Sequence, residues 1–189
     1  MTRVYMLEGH DAFLAYAFSD AGLAQELMRS SPGRVTLPSP SDLPIYMVPS
    51  FGEAKKQPSK LGDYHLFMGS RRLFSERAVD ALSLAGTGHL FPVHLEGRTE
   101  NFYWYWSTTI VDCLDESRTK RLMHLVRDPI FIEERLAGVD VNVFTTPEDQ
   151  DFQFHLYVTE AFKDKIRMAK LKGLMLRRGV SDEKPWKSS

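Results

Sequence analysis

The sequence predicts an α+β fold, a mainly antiparallel sheet with a few helices packed on one face. Three observations predict it. Short runs of alternating apolar and polar residues recur along the chain, as half-buried strands require. Two of these runs, LFPVHLE (90–96) and NFYWYWSTTIV (101–111), flank a short polar turn and read as an antiparallel hairpin. Helical stripes are few and do not follow each strand in turn, as crossover helices would in a parallel sheet.

From the N-terminus, RVYMLE (3–8) and FLAYAF (13–18) alternate and read as strands, and AGLAQELMR (21–29) reads as a short helix. Residues 31–62 hold six of the ten prolines and read as a long irregular loop. Ser75 is placed to cap the helix ERAVDALSLA, with Glu76 at its positive end and Gly86 and Gly88 to stop it. Pro92 cannot donate to a ladder, which puts strand 90–96 at an edge or a bend. In the aromatic strand, Phe102, Trp104, Trp106, Thr108 and Ile110 share one face. Tyr103, Tyr105, Ser107, Thr109 and Val111 share the other. The first face is drier and reads as the floor under the helices; the second carries hydroxyls and reads as half-wet. Trp104→Ala is therefore expected to cost more stability than Tyr105→Ala. Further strands are expected at 129–133, 139–144 and 154–158. Thr159 then caps EAFKDKIRMAKLK, Gly173 ends it and LML (174–176) forms a strand. Residues 180–189 are expected to form a flexible tail.

At 189 residues the chain is read as one domain over 1–189, long enough to bury its own core. A net charge of −1 argues against a strongly basic nucleic-acid binder. The charge is uneven, however. Residues 96–160 carry thirteen acids against six bases, and residues 163–187 carry nine bases against three acids. The only cysteine, Cys113, excludes an internal disulfide and any multi-cysteine zinc site, and it reads as a small buried residue. Glu8, His10 and Asp11 interrupt the N-terminal apolar stretch, so no secretory leader is expected and the location is read as cytoplasmic. No run approaches transmembrane length, so no membrane partner is expected.

No familiar catalytic pattern appears. His94 and Glu96 form an H-x-E that His89 could extend, but the P-C-x-x-C of a zinc deaminase is missing, and no metal or cofactor is expected. Asp112 and Asp115 read as caps at a strand end. The basic stretch 163–178 interleaves with a helical apolar stripe and reads as a solvated face rather than a nucleic-acid surface.

Five segments, in order, carry a resemblance. They are RLFSERAVDAL (72–82), HLFPVHLEG (89–97), IVDCLDESR (110–118), FIEERLAGVDVNVF (131–144) and YVTEAFKDKIRMAKLKGLML (157–176). Together they resemble the bacterial immunity protein family 11, whose members occur beside polymorphic toxins and type VI secretion effectors. The resemblance spans 61–177. The N-terminal third matches only through a strand and a loop reaching GDY (62–64). It implies a non-enzymatic binding protein that neutralises a cognate toxin, encoded by a neighbouring gene, through direct contact. An unexported immunity protein would face a toxin acting in the cytoplasm. Such toxins need basic clefts for phosphate-bearing substrates, so acids are the expected docking groups. The candidates are Glu148, Asp149 and Asp151 in PEDQD, and Glu133 and Glu134 in FIEERL. Tyr103 and Tyr105 are candidate aromatic anchors. The alternative is a small ligand-binding or enzymatic domain whose site lies between the 31–62 loop and the 101–109 strand.

Overall fold

The computed structural model describes residues 3–10, 13–28, 36–50, 60–67, 71–122, 125–137, 140–151, 153–178 and 186–187. In chain order the elements begin with β1 (Val4–Gly9), β2 (Ala15–Phe18), α1 (Ala21–Met28), a 3-10 turn at Pro40–Asp42 and β3 (Ile45–Ser50). Next come β4 (Tyr64–Phe67), β5 (Arg71–Ser75), α2 (Glu76–Leu82), β6 (Gly88–Leu95) and β7 (Phe102–Ser107). Then follow β8 (Lys120–Leu122), β9 (Leu125–Asp128), α3 (Glu133–Leu136) and β10 (Val143–Phe144). The chain closes with β11 (Tyr157–Thr159), α4 (Glu160–Met168), β12 (Leu174–Arg178) and β13 (Trp186–Lys187).

The class is α+β and the pairing is mostly antiparallel, but the strands do not form one sheet. Six of them close into a barrel in the order β2-β3-β6-β7-β5-β4, and a separate five-stranded sheet runs β10-β11-β1-β12-β13. β8 and β9 form a small ribbon. Closure uses two parallel contacts, β2 with β4 and β3 with β6, while the other barrel pairs are antiparallel. The barrel lumen is filled by side chains, as a small barrel requires. Phe102 and Trp104 lie inside it with Tyr16, Phe18, Ile45, Met47, Phe67, Leu73, Val93 and Leu95.

This arrangement corrects the reading of the aromatic strand. Its Phe102/Trp104 face is the barrel interior, and of the helices only α1 reaches that cluster, through Leu23, Ala24 and Leu27. Helices α2 and α4 pack on the tyrosine side, where Ala78, Val79 and Leu82 of α2 and Phe162 and Ile166 of α4 bury Tyr105 and Phe74. The same cluster takes in Tyr5, Leu7, Val158, Leu174 and Leu176 of the five-stranded sheet, so barrel and sheet share it with the two helices between them. Both faces of β7 are therefore covered at Phe102, Trp104 and Tyr105, while Tyr103 and Trp106 stay half-buried. The far side of the sheet buries Val4, Met6, Phe144 and Tyr157 with Cys113, whose thiol burial pushes up to about 12.

Local signals set several boundaries. Ser75 caps α2 by accepting from the Ala78 N–H at 3.2 Å, but the helix stops at Ser83 (φ 58°), ahead of the expected glycines. Gly88 serves another purpose, because a Cβ there would sit 2.2 Å from the Trp106 carbonyl oxygen. Helix α4 ends at Met168, earlier than expected and without a side-chain cap from Thr159, and Gly173, at φ 94°, stands directly before β12 rather than stopping the helix. The hairpin of β6 and β7 forms, with Phe91 opposite Trp104 and Val93 opposite Phe102. Strand β6 is not an edge beyond Pro92, since Val93 to Leu95 also pair with β3. The expected strand at 129–133 is reduced to a bridge between Phe131 and Leu114, and Glu133 opens α3 instead. The 31–62 segment is less irregular than expected and supplies β3; residues 31–35 and 51–59 lie outside the described residues. Within the expected tail, Trp186 and Lys187 pair with Leu176 and Met175, and the rest lies outside the described residues.

The barrel holds one buried imidazole. His65 is 1% exposed, its ring 5.1 Å from Tyr16 and 5.7 Å from Phe102. Its Nδ1 lies 2.7 Å from the Leu14 carbonyl and its Nε2 3.1 Å from that of Gly62. Burial dominates and pushes the group down to about 4; Arg98 adds to this, whereas the two carbonyls and Asp63 oppose it. The unfolded chain takes up this proton below about pH 6.5 and the native chain does not. Stability from this site is thus complete above about 6.5 and falls as pH drops toward 4. The expected loss between pH 7.5 and 5 is about 2 kcal/mol. Urea titrations at those two pH values check it: the His65→Asn variant should lose correspondingly less on acidification, and an equal loss refutes the assignment.

Candidate functional site

At one mouth of the barrel lies an open groove of about 520 Å³, lined by Leu37, Trp106, Ser107, Thr108, Ile110, Gln150 and Asp151. That volume falls in the range of ligand pockets, and barrel mouths are a common place for them. Leu37 and Trp106 both pack against the barrel core, so the groove floor continues the lumen. Trp106 is half-buried, and Ile110 is 48% exposed beside it.

The groove wall at Gln150 and Asp151 belongs to the 145–156 loop, which a buried polar network holds against the end of β7. The Gln153 side chain accepts from the Ser107 N–H at 2.9 Å and donates back to the Ser107 carbonyl at 2.5 Å. Arg72 of β5, 4% exposed, donates to the Gln153 and Phe154 carbonyls at 2.6 and 2.9 Å. Asp149 accepts from Tyr157 Oη at 3.2 Å and lies 3.1 Å from His155 Nδ1. Burial, followed by the Asp149 charge, holds the Tyr157 hydroxyl well above its ordinary range.

Two expected contact residues are corrected here. Asp149 is 2% exposed and its carboxylate is spent inside the network, so it cannot meet a partner. Tyr105 is also 2% exposed; its hydroxyl donates to the Thr87 carbonyl at 3.0 Å and its ring lies under the helices. Tyr103 is half-buried against the same cluster, with its hydroxyl 3.4 Å from Glu76. Glu148 has a side chain only 14% exposed, 3.6 Å from Arg121. Asp151 lines the groove, and Glu133 and Glu134 are exposed in the first turn of α3.

Trp106, Leu37 and Ile110 were missed as site residues. Trp106 shares the Phe102/Trp104 face, but it is the last ring before Ser-Thr-Thr, where a strand leaves the core. That position was the available signal. The groove also sits between Leu37 of the 31–62 segment and the 101–109 strand. His89 and His94 point to opposite faces of β6, since His89 stands opposite Trp106 on the lumen side while His94 pairs with Tyr46 outside. They cannot share a metal ion with Glu96. Among the described residues no group of three or more His, Cys, Asp or Glu is placed to hold a metal. No helix among them is long and apolar enough to cross a membrane.

A second hollow, of about 620 Å³, is lined by Asp20, Glu26, Asp42 and Tyr46 among others. Two of its acids are engaged locally: Asp20 accepts from the Gly22 and Leu23 N–H groups, and Asp42 from that of Ser39. The barrel mouth, with its uncommitted aromatic surface, is the better site. No protein-family model matches the chain, and no curated protein matches it.

Proposed function

We propose that the protein is an immunity protein that binds a cytoplasm-acting bacterial toxin, encoded by a neighbouring gene, and neutralises it by contact without catalysis. The observation that carries the contact surface is the open groove at Trp106, Leu37 and Ile110, with Gln150 and Asp151 on its rim. A large aromatic in a partly desolvated pocket, ringed by polar groups, is the usual anatomy of a binding hot spot. The nature of the partner comes from the ordered segments resembling immunity protein family 11. The exposed Glu133 and Glu134 supply negative charge that favours a basic partner cleft.

The test is a binding assay against the products of the two adjacent genes. Wild type should bind one of them one to one, and Ile110→Asp should weaken that binding by roughly 30-fold or more with its melting temperature unchanged. Failure to bind either product refutes the toxin reading. Binding untouched by both Ile110→Asp and Trp106→Ala removes the barrel mouth as the interface. A second reading, a ligand-binding domain, is favoured by one observation: the groove lies between the 31–62 segment and the 101–109 strand.

A further inference from the structure

The barrel closes over only part of its last seam. Strand β6 pairs with β7 from Gly88 to Val93, but β3 joins β6 only at Val93, His94 and Leu95. Alternation along an antiparallel pair fixes which main-chain groups are left over. The Thr108 N–H donates to the Thr87 carbonyl at 3.1 Å, so His89 and Phe91, in the same phase as Thr87, also turn their groups toward β7. Gly88 and Leu90 turn theirs the other way, toward the side on which β3 joins. On that side the Glu96 N–H donates to the Met47 carbonyl of β3 at 2.8 Å. No hydrogen bond from another described residue reaches the main chain of Gly88 or Leu90 there. Pro92, the next residue in that phase, has no N–H to offer, a placement that proline tolerates on an open edge. Gly88, Leu90 and Phe91 are half-buried, and His89 and Pro92 are exposed, so the stretch can be reached from solvent.

A bare strand edge offers N–H and C=O groups in alternation, and the backbone of another extended strand is the occupant that matches them. The edge also runs into the groove at the barrel mouth, because Gly88 stands opposite Ser107 and His89 opposite Trp106, and Ser107 and Trp106 both line that groove. Side chains of an added strand alternate between its two faces. Those on the lumen side meet Phe91 and Trp106, which pack on the barrel core, and those on the outer side meet Leu90, which packs on the helix side. We infer that the partner toxin docks by laying an extended segment along Gly88–Leu90 as an added strand, apolar at alternate positions, with one side chain seated in the groove at Trp106. Strand addition rests on the toxin-binding reading of the barrel mouth and says how that partner is held. The main-chain bonds hold the segment, and the groove selects the residue it carries. A proline at a position facing β6 would cost the segment a donor, so the segment has none there.

Amide hydrogen exchange, read residue by residue on the full chain alone and with each adjacent gene product, tests it. In the free chain the Leu90 amide should exchange faster than those of His89 and Phe91, and in the complex it should slow by roughly tenfold or more. Leu90→Pro removes that N–H at a position that gives nothing to β7. Leu90→Ala loses the same packing but keeps the N–H, and it should bind roughly tenfold or more tightly than Leu90→Pro. If Leu90→Pro does not fold, the exchange measurement on wild type decides. A Leu90 amide already protected in the free monomer overturns the bare edge. Binding that leaves Leu90 exchanging as in the free chain, or equal binding by the two folded variants, overturns strand addition and leaves the toxin reading standing. Failure of both gene products to bind overturns the two together. Protection that appears in the chain alone as its concentration rises, with sedimentation as a dimer, gives the edge to a second copy and overturns the toxin as its occupant.

Discussion

Trp104→Ala is expected to remove about 3–5 kcal/mol of stability. The ring is fully buried at the centre of the barrel, with Phe67 and Phe91 rings each 5.4 Å away, and truncation leaves a void that closed strands cannot collapse to fill. Tyr105→Ala belongs in the same range of about 3–5 kcal/mol, contrary to what alternation along the strand suggests. Its ring is sealed beneath α2 and α4 and sits 5.9 Å from Phe74, and its hydroxyl serves Thr87. Tyr105→Phe separates the two parts, since it keeps the packing and should cost only about 1 kcal/mol for the lost hydrogen bond. Urea titrations of the three variants check this. A near-neutral Tyr105→Ala would restore a half-wet tyrosine face and contradict the helix packing described above.

What was legible in the sequence was local. The Ser75 cap, the β6–β7 hairpin and the strand after Gly173 depend on residues a few positions apart, and each forms where the pattern puts it. Barrel closure was not legible, because it rests on parallel contacts such as Tyr16 with Phe67 and Ile45 with Val93, between segments that share no local pattern. Burial of Trp104 and Tyr105 on opposite faces of β7 also defeats an alternation argument, which can separate two faces but cannot say that both are covered. The hydroxyl of Tyr105 suggested water, and the chain instead meets it with Thr87; Tyr103 is the tyrosine that stays half-buried, beside Glu76. PEDQD misled for a similar reason. An acidic run reads as solvated, yet His155 and Tyr157 fold back to close over Asp149. The groove combines Leu37, Trp106 and Ile110 from segments whose meeting only the tertiary fold decides.

The loop bearing PEDQD provides the most sensitive test of how the site is built. Arg72→Met should cost about 3–5 kcal/mol, the penalty for breaking a buried charge arrangement by removing one member. It strips the Gln153 and Phe154 carbonyls of their donors and leaves the Asp149 carboxylate without the cation that attracts it through the buried space between them. Asp149→Asn keeps the shape but weakens the contacts with His155 and Tyr157, and should cost about 1–3 kcal/mol. Because both residues act through one network, the double variant should be less destabilised than the sum, with a coupling of about 0.5–3 kcal/mol. Function should follow stability in a specific way. Arg72→Met loosens the wall that carries Gln150 and Asp151 while leaving Trp106 on its strand, so binding at the mouth should weaken even at temperatures where the variant is folded. Strict additivity, or an Arg72→Met protein as stable as wild type, would show that the loop is held by its apolar contacts alone. In that case the groove wall would owe nothing to the charges buried behind it.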